Sequence, residues 1–186
     1  MEKMSTETFA RTKIGKLSIK ILAKIMESRF RYKYFNPVKL LNGVDNLHGQ
    51  TVLEIGCGTG FFTIPLSEFI GNQGSLVAMD ILSESVTEVI KKVREANLQN
   101  VSVIKGDALD TKFEPERFNI IILFGVIPAP MLPLNRILTE MHRILKPEGI
   151  LAVWPSVPIM FPRMILKSGL FSLSNKRNGV YNFKRC

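Results

Sequence analysis

TVLEIGCGTGFFT, residues 51–63, is the stretch that decides the fold of this chain. Its first five residues are largely apolar and β-branched, which is typical of a strand buried in a sheet. Three glycines alternate directly after that strand, and from Phe61 onward the apolar residues follow helical spacing. The glycines therefore lie between the carboxyl end of a strand and the first turn of a helix, where the absence of a Cβ lets a ligand approach the backbone.

The spacing of this turn excludes two classes of nucleotide site. A dinucleotide fingerprint requires a third glycine at position 61, and that residue is Phe61. A phosphate-binding P-loop requires a Lys-Ser or Lys-Thr pair after the turn, and the sequence has none there. A dehydrogenase is therefore the least favoured of the enzyme classes that use such a turn.

What remains is an acidic residue, Glu54, followed by Gly56, Gly58 and Gly60. This motif resembles the first motif of the class I S-adenosylmethionine-dependent methyltransferases, within a small methyltransferase-domain family of the ubiquinone/menaquinone and phospholipid methyltransferase type. The resemblance extends over about residues 51–154. It implies an α/β fold with a Rossmann-like, doubly wound, seven-stranded sheet, mostly parallel with an antiparallel C-terminal hairpin strand. It also implies S-adenosyl-L-methionine as cofactor and S-adenosyl-L-homocysteine as product.

Acidic residues after the next two strands extend the predicted cofactor site. Asp80 ends a predicted strand 20 residues past Gly60, where its two oxygens can accept both ribose hydroxyls, although Asp80 alone would also serve as a helix cap. In the resembled family an acidic residue after the third strand binds the adenine amino group, and Asp107 matches it; a turn-forming Asp is the alternative. The predicted cofactor-binding set is Glu54, Gly56, Cys57, Gly58, Gly60, Asp80, Ile81, Asp107, Ala108 and Phe124.

Alternating apolar patterns predict the remaining elements of the domain. The helices are expected over residues 83–96, 134–145 and 158–170, and the strands over residues 75–79, 101–105, 118–124 and 150–154, with a turn at 146–149 and a final hairpin of 171–174 and 180–184 around a turn at 175–179.

The acceptor side of the predicted site is apolar. Val126 follows the fourth strand, and the Asn-Pro-Pro-Tyr type of motif that marks amino-group methylation is missing there. The second residue of that strand is Asn119, where the family usually has Asp. Methyl transfer needs alignment more than a base, and neither His48 nor His142 is placed to act as one, so no catalytic residue is assigned. No spacing of His and Cys predicts a metal site.

The chain divides into two predicted parts. Residues 1–48 form a basic amphipathic helical segment, a lid or a docking element, and residues 49–186 form the S-adenosylmethionine-binding methyltransferase domain. Within the first part, residues 14–25 place isoleucines and leucines on one helical face with lysines beside it. Such a helix docks on an anionic membrane surface or covers the domain's own core.

Basic and aromatic residues alternate in RFRYKYF, residues 29–35. Such interleaving can stack bases and neutralise phosphates, or cover a small-molecule pocket. In the resembled family this region often helps to build the acceptor site. Tyr32, Tyr34 and Phe35 are therefore predicted to line the substrate pocket together with Val126.

The net charge of +9 is concentrated at the two ends of the 186-residue chain. Residues 1–48 and residues 155–186 each carry +6, whereas residues 49–154 carry −3. This asymmetry indicates a negatively charged partner. The hypotheses are a methyltransferase acting on an apolar or amphipathic small molecule or lipid, an RNA or protein methyltransferase that uses the basic ends, and a non-catalytic S-adenosylmethionine-binding module.

Two cysteines make no disulfide framework, and the N-terminal stretch lacks the apolar core of a secretory signal. The longest uncharged run, residues 118–135, contains three prolines and is too short to span a membrane. A cytoplasmic protein is therefore predicted, with attachment to the membrane surface as the open alternative.

Overall fold

The computed structural model describes residues 36–126, 133–155 and 160–186, apart from the side chain of Met160. The predicted amphipathic segment 14–25 and the predicted pocket residues Tyr32, Tyr34 and Phe35 lie outside this part. In chain order the described elements are α1 (Pro37–Leu41), β1 (Thr51–Ile55), α2 (Thr63–Ile70), β2 (Ser75–Asp80), α3 (Ser83–Glu95), β3 (Val101–Lys105), β4 (Phe118–Phe124), α4 (Leu134–Ile144), β5 (Leu145–Trp154), α5 (Met160–Lys167), β6 (Phe171–Arg177) and β7 (Val180–Arg185).

All seven strands form one sheet in the order β3-β2-β1-β4-β5-β7-β6. Strands β1 to β5 are parallel, and β7 runs antiparallel to both β5 and β6. The predicted doubly wound, mostly parallel sheet with an antiparallel C-terminal hairpin strand is thereby confirmed. The strand order reverses between β1 and β4, and ligands of open α/β sheets bind outside the carboxyl ends of the strands at such a reversal.

Helices cover both faces of the sheet, because its central strands are apolar on both sides. On one face, α4 and α5 bury Leu138 and Ile165 against strand residues such as Leu53, Ile121 and Leu151. These residues form a continuous apolar layer.

The opposite face carries α1, α2 and α3. Leu41 of α1 and Leu66 of α2 are fully buried against Val52 and Ile120 of the strands. A smaller apolar cluster beneath α3 contains Cys57, Ala78, Val89 and Val93. These layers cover both faces of the sheet, so a ligand can approach the central strands at their ends.

The junction between α4 and β5 differs from the prediction. The helix ends at Ile144, and the strand begins at Leu145 rather than at residue 150. Leu145 pairs with Phe118 and Ile150 pairs with Ile120, so the register shifts between these two pairs. The predicted turn at 146–149 is therefore an irregularity inside the strand, where Gly149 folds back so closely that a Cβ would lie 2.6 Å from Leu145 Cγ.

The C-terminal hairpin is tighter than the sequence predicts. Only Asn178 and Gly179 connect the strands, with φ angles of 51° and 84°. Positive φ at both central positions is typical of a two-residue type I′ turn, for which Asn-Gly is a preferred sequence. The predicted five-residue turn at 175–179 is therefore wrong, and β6 continues to Arg177. Helix α5 ends earlier than predicted, at Lys167, two residues before Gly169 with its φ of 70°.

The segment around α1 packs into the same core as the domain that follows it. The fully buried Asn182 of β7 donates from Nδ2 to Gly43 O at 2.8 Å and accepts from Asp45 N at 3.3 Å. Arg177 adds an ion pair with the Asp45 carboxylate. Residues 36–48, which the sequence division assigns to the N-terminal segment, are thus joined directly to the last hairpin.

Candidate functional site

The glycine turn after β1 is held against the end of β2. The amides of Gly56 and Cys57 both donate to Met79 O, at 2.7 and 3.1 Å, and Gly60 N donates to Cys57 O at 2.8 Å. Gly56, Gly58 and Gly60 have φ angles of 73°, 53° and 80°, which residues with a side chain rarely adopt. The turn therefore needs glycine at all three alternating positions.

Val126 lies directly over this turn. A Cβ built on Gly56 would lie 2.7 Å from Val126 Cγ2, closer than any real packing contact. Because Gly56 follows β1 and Val126 follows β4, the contact lies at the reversal of the strand order. The structure thus brings a residue predicted for the acceptor pocket next to one predicted for the cofactor site.

Glu54 is buried beneath the turn, with 3% of its surface exposed. The Thr63 hydroxyl, in the first turn of α2, donates to Glu54 Oε2 at 2.6 Å. Burial raises the pKa of Glu54 to about 7, with the Thr63 hydrogen bond opposing this shift and the charge of Asp80 adding to it. Glu54 therefore connects the two ends of the turn, and with this pKa it is about half protonated near pH 7.

Asp80 connects the turn to the chain that follows β2. Its Oδ2 accepts from Gly58 N and its Oδ1 from Leu82 N, each at 2.9 Å. Burial raises the pKa of Asp80, and the amides of Leu82 and Gly58 oppose that shift. The Ile81 amide also opposes that shift. The carboxylate nevertheless presents two oxygens side by side, the number of acceptors that adjacent ribose hydroxyls require.

Asp107 lies at the same edge of the sheet, after β3. Gly106 N donates to Asp80 O at 3.0 Å, which places the two strand ends side by side. The Asp107 side chain is exposed, and its Oδ1 accepts from Leu109 N at 2.9 Å. The structure therefore brings Glu54, Asp80 and Asp107 to one rim, with Ile81 and Ala108 beside them and partly buried.

Besides Glu54 and Asp80, two apolar members of the predicted cofactor set, Cys57 and Phe124, have buried side chains. Cys57 packs with Val89 and Val93 beneath α3, and burial raises the pKa of its thiol. Phe124 is 5% exposed and packs edge-on against Phe62, with ring centroids 5.1 Å apart. A ligand at this edge can reach the backbone of these two residues more readily than their side chains, so their contacts with a cofactor stay predictions.

The sequence reasoning missed two residues that shape the turn. One is Thr63, the partner of Glu54. The other is Lys92 of α3, whose Nζ donates to Thr59 O at 2.9 Å and also pairs with Glu88. The only available signal for Thr63 is that a buried carboxyl needs a hydrogen-bond donor. No sequence spacing indicates the Lys92 contact, because it bridges 33 positions.

A cavity of about 640 Å³ opens along the second half of the turn. This volume falls within the usual range for small-molecule sites. Its walls come from the start of the described chain, the turn, α2 and α3, and include Asn36, Val38, Thr59, Glu68 and Lys92. Asp80 and Asp107 do not line it, so this cavity is distinct from the rim that carries these two carboxylates.

Other residues singled out in the sequence lie away from this site. Asn119 Oδ1 accepts from Thr51 N at 3.3 Å and from Lys146 Nζ at 3.2 Å, near the opposite ends of these strands. His142 Nε2 lies 3.1 Å from Cys186 O. Within residues 36–126, 133–155 and 160–186, no cluster of three or more His, Cys, Asp or Glu side chains could hold a metal ion. In these same ranges no helix has both the length and the apolar character needed to cross a membrane.

Proteins with a similar sequence include demethylmenaquinone methyltransferases. The one from Staphylococcus epidermidis is 37% identical over 103 residues, which cover 55% of this chain and 41% of that protein. The one from Listeria monocytogenes is 35% identical over 105 residues, which cover 56% of this chain and 44% of that protein. The chain thus spans less than half the length of these curated relatives.

Solved structures share the fold. A SAM-dependent methyltransferase from Aquifex aeolicus superimposes with a TM-score of 0.73 at 23% identity, over 87% of this chain and 93% of that one. The PH0226 protein from Pyrococcus horikoshii superimposes with a TM-score of 0.61 at 18% identity, over 95% and 93% of the two chains.

A family model described as "Methyltransferase domain" matches residues 46–167, well over half of the chain. This match includes the glycine turn, the three acidic residues and the strands β1 to β5. The chain therefore belongs to the methyltransferase domain family, which confirms the class I S-adenosylmethionine-dependent methyltransferase predicted from the sequence, with S-adenosylmethionine as its cofactor.

Proposed function

We propose that this protein methylates a planar, apolar small molecule of the quinone kind, using S-adenosylmethionine. The observation that carries the proposal is the contact between Gly56 and Val126, because it joins the glycine turn to an apolar wall. The quinone class is favoured because relatives at 35–37% identity are named demethylmenaquinone methyltransferases.

The residues around the turn fit an adenosyl ligand. The turn offers backbone without side chains, and Asp80 offers two carboxylate oxygens side by side. Asp107 at the end of β3 is exposed and would accept from the adenine amino group. S-adenosylmethionine, when bound, supplies a methyl group activated by a sulfonium.

The acceptor would lie outside the carboxyl ends of β4 and β5. Gly125 N donates to Trp154 O at 3.0 Å, and a Cβ on Gly125 would lie 3.9 Å from the Trp154 ring. Trp154 is partly exposed and packs edge-on against Phe62 and Phe124, with centroid distances of 6.2 and 6.5 Å. Aromatic rings favour planar, apolar ligands, and an apolar wall leaves the acceptor's nucleophilic atom poorly solvated.

Transfer of labelled methyl groups tests the proposal. The full chain is incubated with methyl-labelled S-adenosylmethionine and either a reduced, short-chain naphthoquinone that lacks the ring methyl, phosphatidylethanolamine vesicles or RNA. We expect label in the naphthoquinone alone. Label in RNA or in the phospholipid would overturn the quinone class. Binding of the cofactor without transfer to any of the three acceptors would favour a non-catalytic S-adenosylmethionine-binding module.

A calorimetric titration with S-adenosylmethionine tests the cofactor contacts separately. Asp80→Ala removes the acceptor of charge-assisted hydrogen bonds, so we expect its affinity to fall by roughly 10- to 100-fold. The matched control is Asp110→Ala, since Asp110 also follows β3 but pairs with Lys112 on the surface. Equal affinities of the two variants would contradict the role given to Asp80, as would tight binding of NAD by the wild type.

A further inference from the structure

Large apolar side chains are exposed on α5 and β6. Met164 is 39% exposed, Leu166 41% and Leu173 43%; the only other such residue in the described ranges is Val38 of α1. Three of these four residues thus lie on two consecutive elements. Isolated apolar residues on a surface need no explanation, but a group of them does.

The geometry of α5 explains why these residues face outward. Phe161 and Ile165 lie one turn apart and are buried in the layer beneath the helix. The opposite side of α5 therefore presents Arg163, Met164, Leu166 and Lys167 to solvent, and all four are exposed.

Strand β6 extends this surface on the same side of the sheet. Leu173 pairs with Phe183, which is buried in the same layer as Ile165, and paired residues of neighbouring strands point to one face. Lys176 pairs with Tyr181 and its Nζ lies 4.6 Å from the centre of that ring. The basic-apolar patch comprises Arg163, Met164, Leu166, Lys167, Leu173 and Lys176.

The chain segment that carries the patch has only positive charges. Residues 155–186 contain six Lys and Arg residues and no Asp or Glu. Arg177 and Arg185 are neutralised by Asp45 and Glu116. The three bases of the patch have no acidic partner among the residues that the structure describes.

We propose that the basic-apolar patch docks the protein on an anionic phospholipid surface. Apolar side chains interleaved with bases enter the interface while the bases contact the headgroups. A nucleic acid would use the bases but leave Met164, Leu166 and Leu173 in water, and for this reason it fits less well. This inference goes beyond the proposed function and holds whichever acceptor is methylated.

Flotation of the full chain with lipid vesicles tests this proposal. The vesicles contain phosphatidylcholine alone or with about one-third phosphatidylglycerol, at low and high salt. We compare wild type with Arg163→Glu/Lys167→Glu and with Met164→Ser/Leu166→Ser. The charge-matched control is Lys91→Glu/Arg94→Glu, which makes the same change on the exposed surface of α3 across the sheet.

We expect wild type and control to float with the anionic vesicles at low salt, less at high salt and little with phosphatidylcholine alone. Reversing two bases of the patch should weaken binding roughly tenfold or more, and removing its two apolar side chains should weaken it several-fold. Circular dichroism spectra confirm that each variant is folded. The proposal is overturned if wild type does not float, if the patch variants float as well as the control, or if the patch variants lose retention on RNA while keeping lipid binding.

Discussion

The Thr63 hydroxyl donates a 2.6 Å hydrogen bond to Glu54 Oε2 beneath the glycine turn. Thr63 is fully buried and Glu54 nearly so, and this bond closes the segment that the turn forms between β1 and α2. One hydroxyl is a weak compensation for a carboxylate removed from water, so the neutral carboxyl is favoured.

This environment makes stability depend on pH through Glu54. Its pKa rises from 4.5 to about 7 on folding, so the folded chain holds a proton that the unfolded chain releases between these pH values. Stability should therefore fall as pH rises from about 5 to 8, by on the order of 3 kcal/mol, and Glu54→Gln should abolish this part of the dependence. Urea unfolding of both proteins at pH 5 and pH 8 measures it. Parallel pH profiles would show that Glu54 is ionised in the folded protein.

Gly56→Ala should disturb both halves of the site. Alanine at position 56 would have to adopt a φ of 73°, and its Cβ would lie 2.7 Å from Val126 Cγ2. We expect a loss of about 2–4 kcal/mol in stability, from backbone strain and overpacking together, and weaker binding of S-adenosylmethionine. Adding Val126→Ala should recover the overpacking part only. Full recovery in the double variant would mean that backbone strain at Gly56 is negligible.

Glu140 should contribute stability in the opposite pH range. Arg143 donates from Nε and Nη2 at 2.8 Å, and Thr111 donates from N at 2.9 Å and from Oγ1 at 2.6 Å. The Arg143 hydrogen bonds, aided by those of Thr111 and opposed by burial, lower the pKa of Glu140 to about 2. Its stabilisation is thus present above about pH 4.5 and is lost as pH falls towards 2.

Glu140→Gln should therefore cost on the order of 2 kcal/mol at pH 7, which is less than the full pKa shift implies because Arg143 is partly exposed. At pH 2.5, just above the folded-state pKa, only about a quarter of that cost should remain. Thermal unfolding at both pH values checks this. A loss of equal size at pH 2.5 would indicate a packing effect without ionisation.

Asn182→Leu should destabilise the protein by about 2–4 kcal/mol. The change leaves Gly43 O and Asp45 N without their buried partner and removes the donor to Asn175 Oδ1. Asn175→Ala is the milder control, because Asn175 lies nearer the surface. Asn175 also donates to the Asp45 carboxylate, so equal costs in urea unfolding would mean that the hydrogen bonds of Asn182 to Gly43 and Asp45 add no stability beyond that contact.

The elements around the glycine turn were predictable because their signals are local. Neighbouring residues indicate strand β1, the glycine turn and the interval to Asp80. Because parallel strands bring their carboxyl ends to one edge, the position of the site could be predicted as well. The early start of β5 could not be read in the same way. It depends on pairing of Leu145 with Phe118, whereas Lys146, Pro147 and Gly149 are typical of a turn.

Contacts between residues that are distant in the sequence could not be predicted either. Lys92 donates to Thr59 O, and Val126 lies against Gly56. Both contacts depend on how α3 and the end of β4 pack, which no periodicity in the sequence indicates. Asn178-Gly179 is different, because its preference for a two-residue turn is present in the sequence, whereas the prediction places both residues in a longer turn.

The hydrogen bond between Asp45 N and Asn182 Oδ1 joins residues 137 positions apart. During synthesis on the ribosome, Asp45 therefore emerges long before the residue that fixes it, and α1 lacks this anchor until β7 has been made. Domains assemble in the order in which their partners become available, and contacts between distant positions form late. A nascent chain stopped before Asn182 would contain strands β1 to β6, but the wall that α1 contributes to the cavity beside the glycine turn would still lack its anchor.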